Sequence, residues 1–110
     1  MPNTYKILGQ ITGSNASRAI YTVPAGSQAV VSSVVFANRS TSVSFYRIAA
    51  ITSGSTLADR NYLAYDIPLS GSDSIALTLG VTLNTGDRLE GYSSGSNISS
   101  SFTAFGTEIV

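Results

Sequence analysis

The 110-residue sequence predicts an all-β fold: a single antiparallel β-sandwich, jelly-roll-like or barrel-like, of about eight strands. Three observations carry this. Turn signals recur every 8–12 residues or so, the spacing of sandwiches and barrels. They are Gly13-Ser14-Asn15, Pro24-Ala25-Gly26, Asn38-Arg39-Ser40, Ser53-Gly54-Ser55, Pro68 to Gly71, Asn84-Thr85-Gly86-Asp87 and Ser93-Ser94-Gly95. The segments between them are rich in Val, Ile, Thr, Tyr and Phe and alternate with a period of two. No window carries a sustained helical period. The best, 56–63, supplies one turn, with Thr56 as cap and Asp59 in the first turn. Eight short strands exceed one flat sheet, so two packed sheets or a closed barrel must bury the apolar faces.

The strands follow in order. Residues 4–8 alternate within an N-terminal arm, 1–16, and the sandwich domain occupies 17–110. Residues 18–23 make the second strand. The third, 28–38, carries Val30, Ser32, Val34 and Phe36 on one face and Val31, Ser33, Val35 and Ala37 on the other. Both faces are mostly apolar, which predicts a central strand covered on two sides. Residues 42–51 place Val43, Phe45, Ala49 and Ile51 on one face, interrupted by Arg47. Residues 61–67 follow. In 73–79, Ile75, Leu77 and Leu79 alternate with Ser74, Ala76 and Thr78, the pattern of a half-buried strand. Residues 87–92 and 98–105 complete the set. The turn chemistry suits antiparallel neighbours.

Composition narrows the function. Hydrophobic residues make up 43% and charged residues 11%, with six basic against six acidic groups. An ordinary soluble domain is about 25% charged. Nothing here builds a basic footprint for nucleic acid, and no apolar run approaches the ~18 residues of a membrane span. Residues 1–6 do not read as a secretory leader, so the chain is expected to be made in a host cytoplasm. The sequence has no Cys and no His. That removes thiolate chemistry, the commonest general base and the commonest metal ligand. No enzyme, cofactor or metal is expected. Polarity comes instead from 30 Ser and Thr, and a weakly charged surface is poorly protected against association.

The remaining candidates each have a modest explanation. Asp59, Asp66, Asp73 and Asp87 are oxygen donors, but their spacing matches no calcium loop, and turn or strand-end roles suit them better. Asp87 and Glu90 are three apart, so on a strand they face opposite sides and do not converge as a hydrolase pair. Asp87 fits the turn before it. The Ser-rich run 93–101 reads as an exposed hairpin tip and strand. Tyr62, Tyr65, Tyr46 and Tyr92 are candidates to line a sugar-binding face, although Tyr equally suits cores and interfaces. Arg47, on an apolar face, needs a partner, with Asp66 or Glu90 as candidates. Tyr5, Ile7, Arg39, Arg47, Tyr62 and Tyr92 are the interface candidates.

Three stretches taken together resemble a known group. They are Ile20-Tyr21-Thr22-Val23-Pro24-Ala25-Gly26, continuing through Ala29 to Val35 and Asn38-Arg39-Ser40; Leu79-Gly80-Val81-Thr82-Leu83-Asn84-Thr85-Gly86-Asp87; and Phe105-Gly106-Thr107-Glu108-Ile109. In this order, over roughly 17–109, the chain resembles small β-sandwich virion proteins of tailed phages, notably those infecting cyanobacteria and other aquatic bacteria. The resemblance implies a bacteriophage structural protein located in the virion. The expected role is a capsid cement or decoration protein that bridges neighbouring subunits, with the major capsid protein or other virion proteins as partners. A homo-oligomer is expected, a trimer suiting three-fold positions of a shell. The arm is expected to add a strand to a neighbour's sheet. A tail, baseplate or fibre module of the same virion is the first alternative, and a carbohydrate-binding module the second.

Overall fold

The computed structural model describes residues 3–95 and 99–110. Among the described residues eight strands form: β1 (Asn3–Thr12), β2 (Arg18–Thr22), β3 (Gln28–Asn38), β4 (Ser44–Ile51), β5 (Tyr62–Leu69), β6 (Asp73–Leu83), β7 (Arg88–Gly95) and β8 (Ser100–Ile109). A single 3₁₀ turn, Asp59–Asn61, precedes β5, inside the window where the sequence allows one helical turn. The strands make two antiparallel sheets, β1-β8-β3-β6 (sheet I) and β2-β7-β4-β5 (sheet II). This order is that of a jelly-roll sandwich, so the barrel alternative is not realised.

The turn signals fall where expected but do other work. Only β4 and β5 are consecutive strands paired in one sheet. The remaining turns carry the chain from one sheet to the other. In the turn after β6, Gly86 sits at φ +83°, a conformation open to glycine. Asp87 accepts hydrogen bonds from the backbone N–H of Asn84 and Ser53 (both 2.9 Å), which fixes this crossing and supports its reading as a turn residue.

Bulges decide which side chains reach the core. In β3 the register slips at Ser32. Ala29 and Val31 point inward before it and Val34, Phe36 and Asn38 after it, so each face read from strict alternation contributes half. β3 is central, between β8 and β6, but its outer face is half-open rather than covered. In β4 the inward residues are Ser44, Tyr46 and Ile48. The face carrying Phe45 and Arg47 therefore points to solvent, not to the core. Ala49 and Ile51 are nonetheless buried. Opposite Ile51, Arg88 donates to the carbonyl of Ser55 (3.1 Å) and draws the 52–61 connection towards that end.

Phe36 lies at the centre of the core, its ring centroid 4.7 Å from Tyr46 of sheet II and 4.8 Å from Phe102. Tyr46 is 1% exposed, so it belongs to the core and not to a sugar-binding face. Ser93 and Ser100 are also buried, Ser100 Oγ donating to Ser93 Oγ (3.0 Å). The two flanks of the Ser-rich run thus face inward at Ser93 and Ser100, and its middle, residues 96–98, where the exposed tip is expected, lies outside the described residues.

The two flanks of the sandwich differ. On one, Gly9 backs directly onto the Ile20 carbonyl, leaving no room for a side chain. Glu108 of β8 there accepts from Tyr21 of β2 (2.6 Å) and pairs with Lys6 of β1 (2.7 Å), joining the sheets. Residues 3–12 of the arm are thus the edge strand β1 of the chain's own sheet I, paired with β8 from Asn3↔Ile109 to Thr12↔Ser101. On the other flank β5 and β6 diverge.

At one end, buried Asn38 joins two connections. Its Nδ2 lies 2.9 Å from the Ser42 carbonyl and 3.1 Å from those of Leu69 and Ser70. Its Oδ1 accepts from the Ser40 N–H and hydroxyl. Ser44 is the opposite case. Its buried Oγ has no hydrogen-bond partner, and burying an unpaired hydroxyl costs energy. Ser44→Ala is expected to raise stability by about 0.5–1.5 kcal/mol, read as a higher urea midpoint at unchanged slope.

Candidate functional site

The outer face of sheet II gathers aromatic rings around one arginine. Arg47 on β4 stands opposite Tyr92 on β7. On the other side, β5 bulges. Between the pairs Tyr46↔Ile67 and Ile48↔Ala64, β5 sets both Tyr65 and Asp66 against Arg47 alone. Asp66 takes φ +51° there, the left-handed region that Asp tolerates better than most residues. The bulge brings the carboxylate onto the guanidinium. Arg47 Nε donates to Oδ1 at 2.6 Å and Nη2 to Oδ2 at 3.2 Å, a two-pronged ion pair.

The guanidinium carbon lies 4.1 Å from the Tyr65 ring centroid, 4.4 Å from Tyr92 and 5.9 Å from Tyr62. Tyr62 and Tyr65 meet edge to face at 4.8 Å and 79°. Cation–π contacts at such exposed sites contribute roughly 0.5–1 kcal/mol each. Their larger effect is to hold the rings still, so binding has less side-chain freedom to remove. The hydrogen bond to Asp66 holds Arg47 firmly protonated, and Arg47 in turn keeps the Asp66 carboxyl below its ordinary value. Neither group is poised to move a proton near neutral pH. Asp59, Tyr62 and Tyr65 border a shallow hollow of about 360 Å³.

Of the interface candidates, the structure brings Arg47, Tyr62 and Tyr92 together. It places Tyr5 (83% exposed) and Ile7 on β1, on sheet I, away from that cluster. Arg39 is at one end of the sandwich, where Nη2 donates to the Ser100 carbonyl (2.9 Å) and Nη1 to Ser99 Oγ (3.2 Å). Asp66, not Glu90, partners Arg47. Glu90 accepts from Arg88 Nε (2.6 Å) and Ser17 Oγ (2.7 Å). Burial works to raise its pKa, but these bonds outweigh it and the net shift is downward. Tyr65 joins the cluster through a bulge that no residue pattern announces. The one available signal is that Tyr62, Tyr65 and Asp66 follow one another closely on the strand after Arg47. Among the described residues, no three Asp, Glu, His or Cys side chains gather to hold a metal.

Comparison of the chain with family models, curated protein sequences and solved structures returns no match.

The carboxylates set a pH response. Hydrogen bonding from Lys6, then from Tyr21, lowers the Glu108 pKa, and Glu90 and Asp66 are lowered as described. A carboxylate with a depressed folded pKa stabilises the fold above its unfolded value, and this is lost as pH falls through the folded value. With no His, the melting temperature is expected to be flat from about pH 8 to 5 and to fall below about pH 4.3. Glu108→Gln should flatten that acid limb, as thermal melts at closely spaced pH values will show.

Proposed function

We propose that this chain is a non-enzymatic structural protein of a tailed-phage particle, a cement or decoration protein that grips neighbouring shell subunits by surface contact. The observation that carries the reading is the preset cluster of Arg47, Tyr62, Tyr65 and Tyr92 on an exposed sheet face. Tyr and Arg are the side chains that dominate binding energy at protein interfaces. Here they are presented by a rigid sheet rather than a loop. The sequence resemblance to small phage virion proteins points the same way. The jelly roll agrees by analogy, since shells reuse this fold, but so do lectins. A surface that binds across two subunits favours the assembled shell, because only that state offers the composite site.

Quantitative mass spectrometry of purified particles tests this. A copy number near that of the major capsid protein supports cement, a few per hundred indicates the tail or fibre alternative, and absence from particles overturns both. In a reconstituted binding assay, Tyr92→Ala is expected to weaken particle binding about 10–100-fold, the effect of a central aromatic contact, with melting nearly unchanged. The hollow beside Asp59, Tyr62 and Tyr65 favours one further reading, a carbohydrate site with the two rings as stacking surfaces. Saturable binding of one sugar on a glycan array, lost in Tyr65→Ala, would establish it instead.

A further inference from the structure

Four strands border the two sheets, and three carry features that discourage pairing with another chain. β2 is five residues long with a register slip at Ile20. β1 carries Lys6 and an extra residue at Leu8. β5 carries the Tyr65–Asp66 bulge and Pro68. Charges, bulges, prolines and shortness are the usual means of blunting an edge. β6 is eleven residues long, and from Ser74 to Leu83 it has no ionisable side chain. Its one irregularity, at Leu79 and Gly80, leaves 73–78 in unbroken register with β3.

Beside this edge the sandwich is open. Leu63, Ala64 and Ile67 of β5 face Ile75, Leu77 and Leu79 of β6 across an apolar groove of about 350 Å³. Leu63 is 47% exposed and Ile67 38%. We infer that this flank is a homodimer interface. β6 pairs antiparallel with β6 of a second copy about a twofold axis near Ala76. The two sheets I become one sheet of eight strands, and each groove is closed by the other copy's.

The sequence of β6 favours its own copy as the partner. With Ala76 opposite itself, Ile75 meets Leu77, Ser74 meets Thr78 and Asp73 meets Leu79. Ile75 and Leu77 stay on the groove side, with Asp73 beside Leu79 at each end of the pairing; hydroxyls stay outside, and no like charges oppose each other. Beyond Asp73 at its start, this strand offers a charged partner no charge to read. The whole chain is neutral, six charges against six, so copies approach without net repulsion. The area is sufficient. Eleven residues span roughly 36 Å, and the smallest dimension of the molecule is 18 Å. A flank of that outline, wholly covered, would bury roughly 650 Å² per copy, or about 1,300 Å² in total, at the lower end of the range of stable interfaces. Pairing of this kind closes at two copies. It is a different assembly from the trimer expected at a three-fold shell site, and it does not depend on the proposed function.

Light scattering of the purified chain between about 1 and 100 µM tests the inference, over the range where a micromolar dimer forms. The expected mass is twice 11.4 kDa. Ala76→Lys, at an exposed position, sets like charges face to face and is expected to weaken the dimer at least about tenfold with the melting curve of the monomer retained. Mixing Ala76→Lys with Ala76→Glu should restore the dimer mass. If Ala76→Lys does not fold, the double variant Ser74→Lys/Thr78→Lys with Ser74→Glu/Thr78→Glu makes the same pair of tests, because residues 74 and 78 face each other across the axis. A monomer throughout the range, a trimer, or a dimer indifferent to the charge pairs overturns it.

Discussion

Asn38→Ala is expected to lower the unfolding free energy by about 3–5 kcal/mol, several times the ~1 kcal/mol of an ordinary hydrogen bond. Asn38 is 2% exposed. Its amide serves the carbonyls of Ser42, Leu69 and Ser70, and its oxygen holds the Ser40 N–H and hydroxyl. Those partners tie the β3–β4 connection to the end of β5 and the β5–β6 connection, reinforcing the backbone hydrogen bond from Ser72 N–H to the Ser40 carbonyl (2.8 Å). Alanine leaves at least two groups unpaired away from water, each costing roughly 1–3 kcal/mol. Asn38→Asp tests the mechanism, because it keeps the shape, loses both donors and buries a charge. It should be at least as damaging. Urea unfolding of the three proteins measures this, and a loss below about 1 kcal/mol for alanine would show that water replaces the amide.

Phe102→Ala should cost a similar ~3–5 kcal/mol for a different reason. Phe102 is fully buried against Phe36, and its ring lies close to Gly91 of the facing sheet, where even a methyl group would be tight. Removing it opens a cavity between sheets that cannot close without shifting two hydrogen-bonded ladders. Phe102→Leu fills most of that space and should cost roughly half as much or less. A domain of this size has about 5–15 kcal/mol in hand, so either alanine variant consumes a large part of it. The two should add within about 0.5 kcal/mol if the sites are independent, which a double variant at low temperature can establish.

Strand identity was legible because the alternation of large apolar and small polar residues is local. β6 shows it from Ser74 to Leu79, and the structure carries the strand on to Leu83 past Gly80. Facing was less legible, because each bulge reverses parity. Ser32 divides the inward face of β3, and a serine at position 44 among the inward residues of β4 made the wrong face look like the core. Turn residues marked where the chain reverses but not whether it stays in its sheet, since that depends on partners distant in sequence. The Arg47–Asp66 pair was readable as a charge seeking its opposite. The aromatic rings around it were not, because Tyr92 and Tyr65 reach Arg47 from strands on either side of β4.

The pairing of β1 with β8 has a consequence for synthesis. Sheet I is complete only when the first strand meets the last, with Asn3 opposite Ile109. Until β8 has left the ribosome, β3 has one neighbour instead of two and Phe36 lacks Phe102. Translation at ~5–20 residues per second leaves the nascent chain in that state for seconds. Closing loops that span nearly the whole chain is slow, on the millisecond-to-second scale of all-β domains. The same topology works in the other direction once β8 is in place. Peeling β1 from the sheet means breaking a ladder that β8 holds in place.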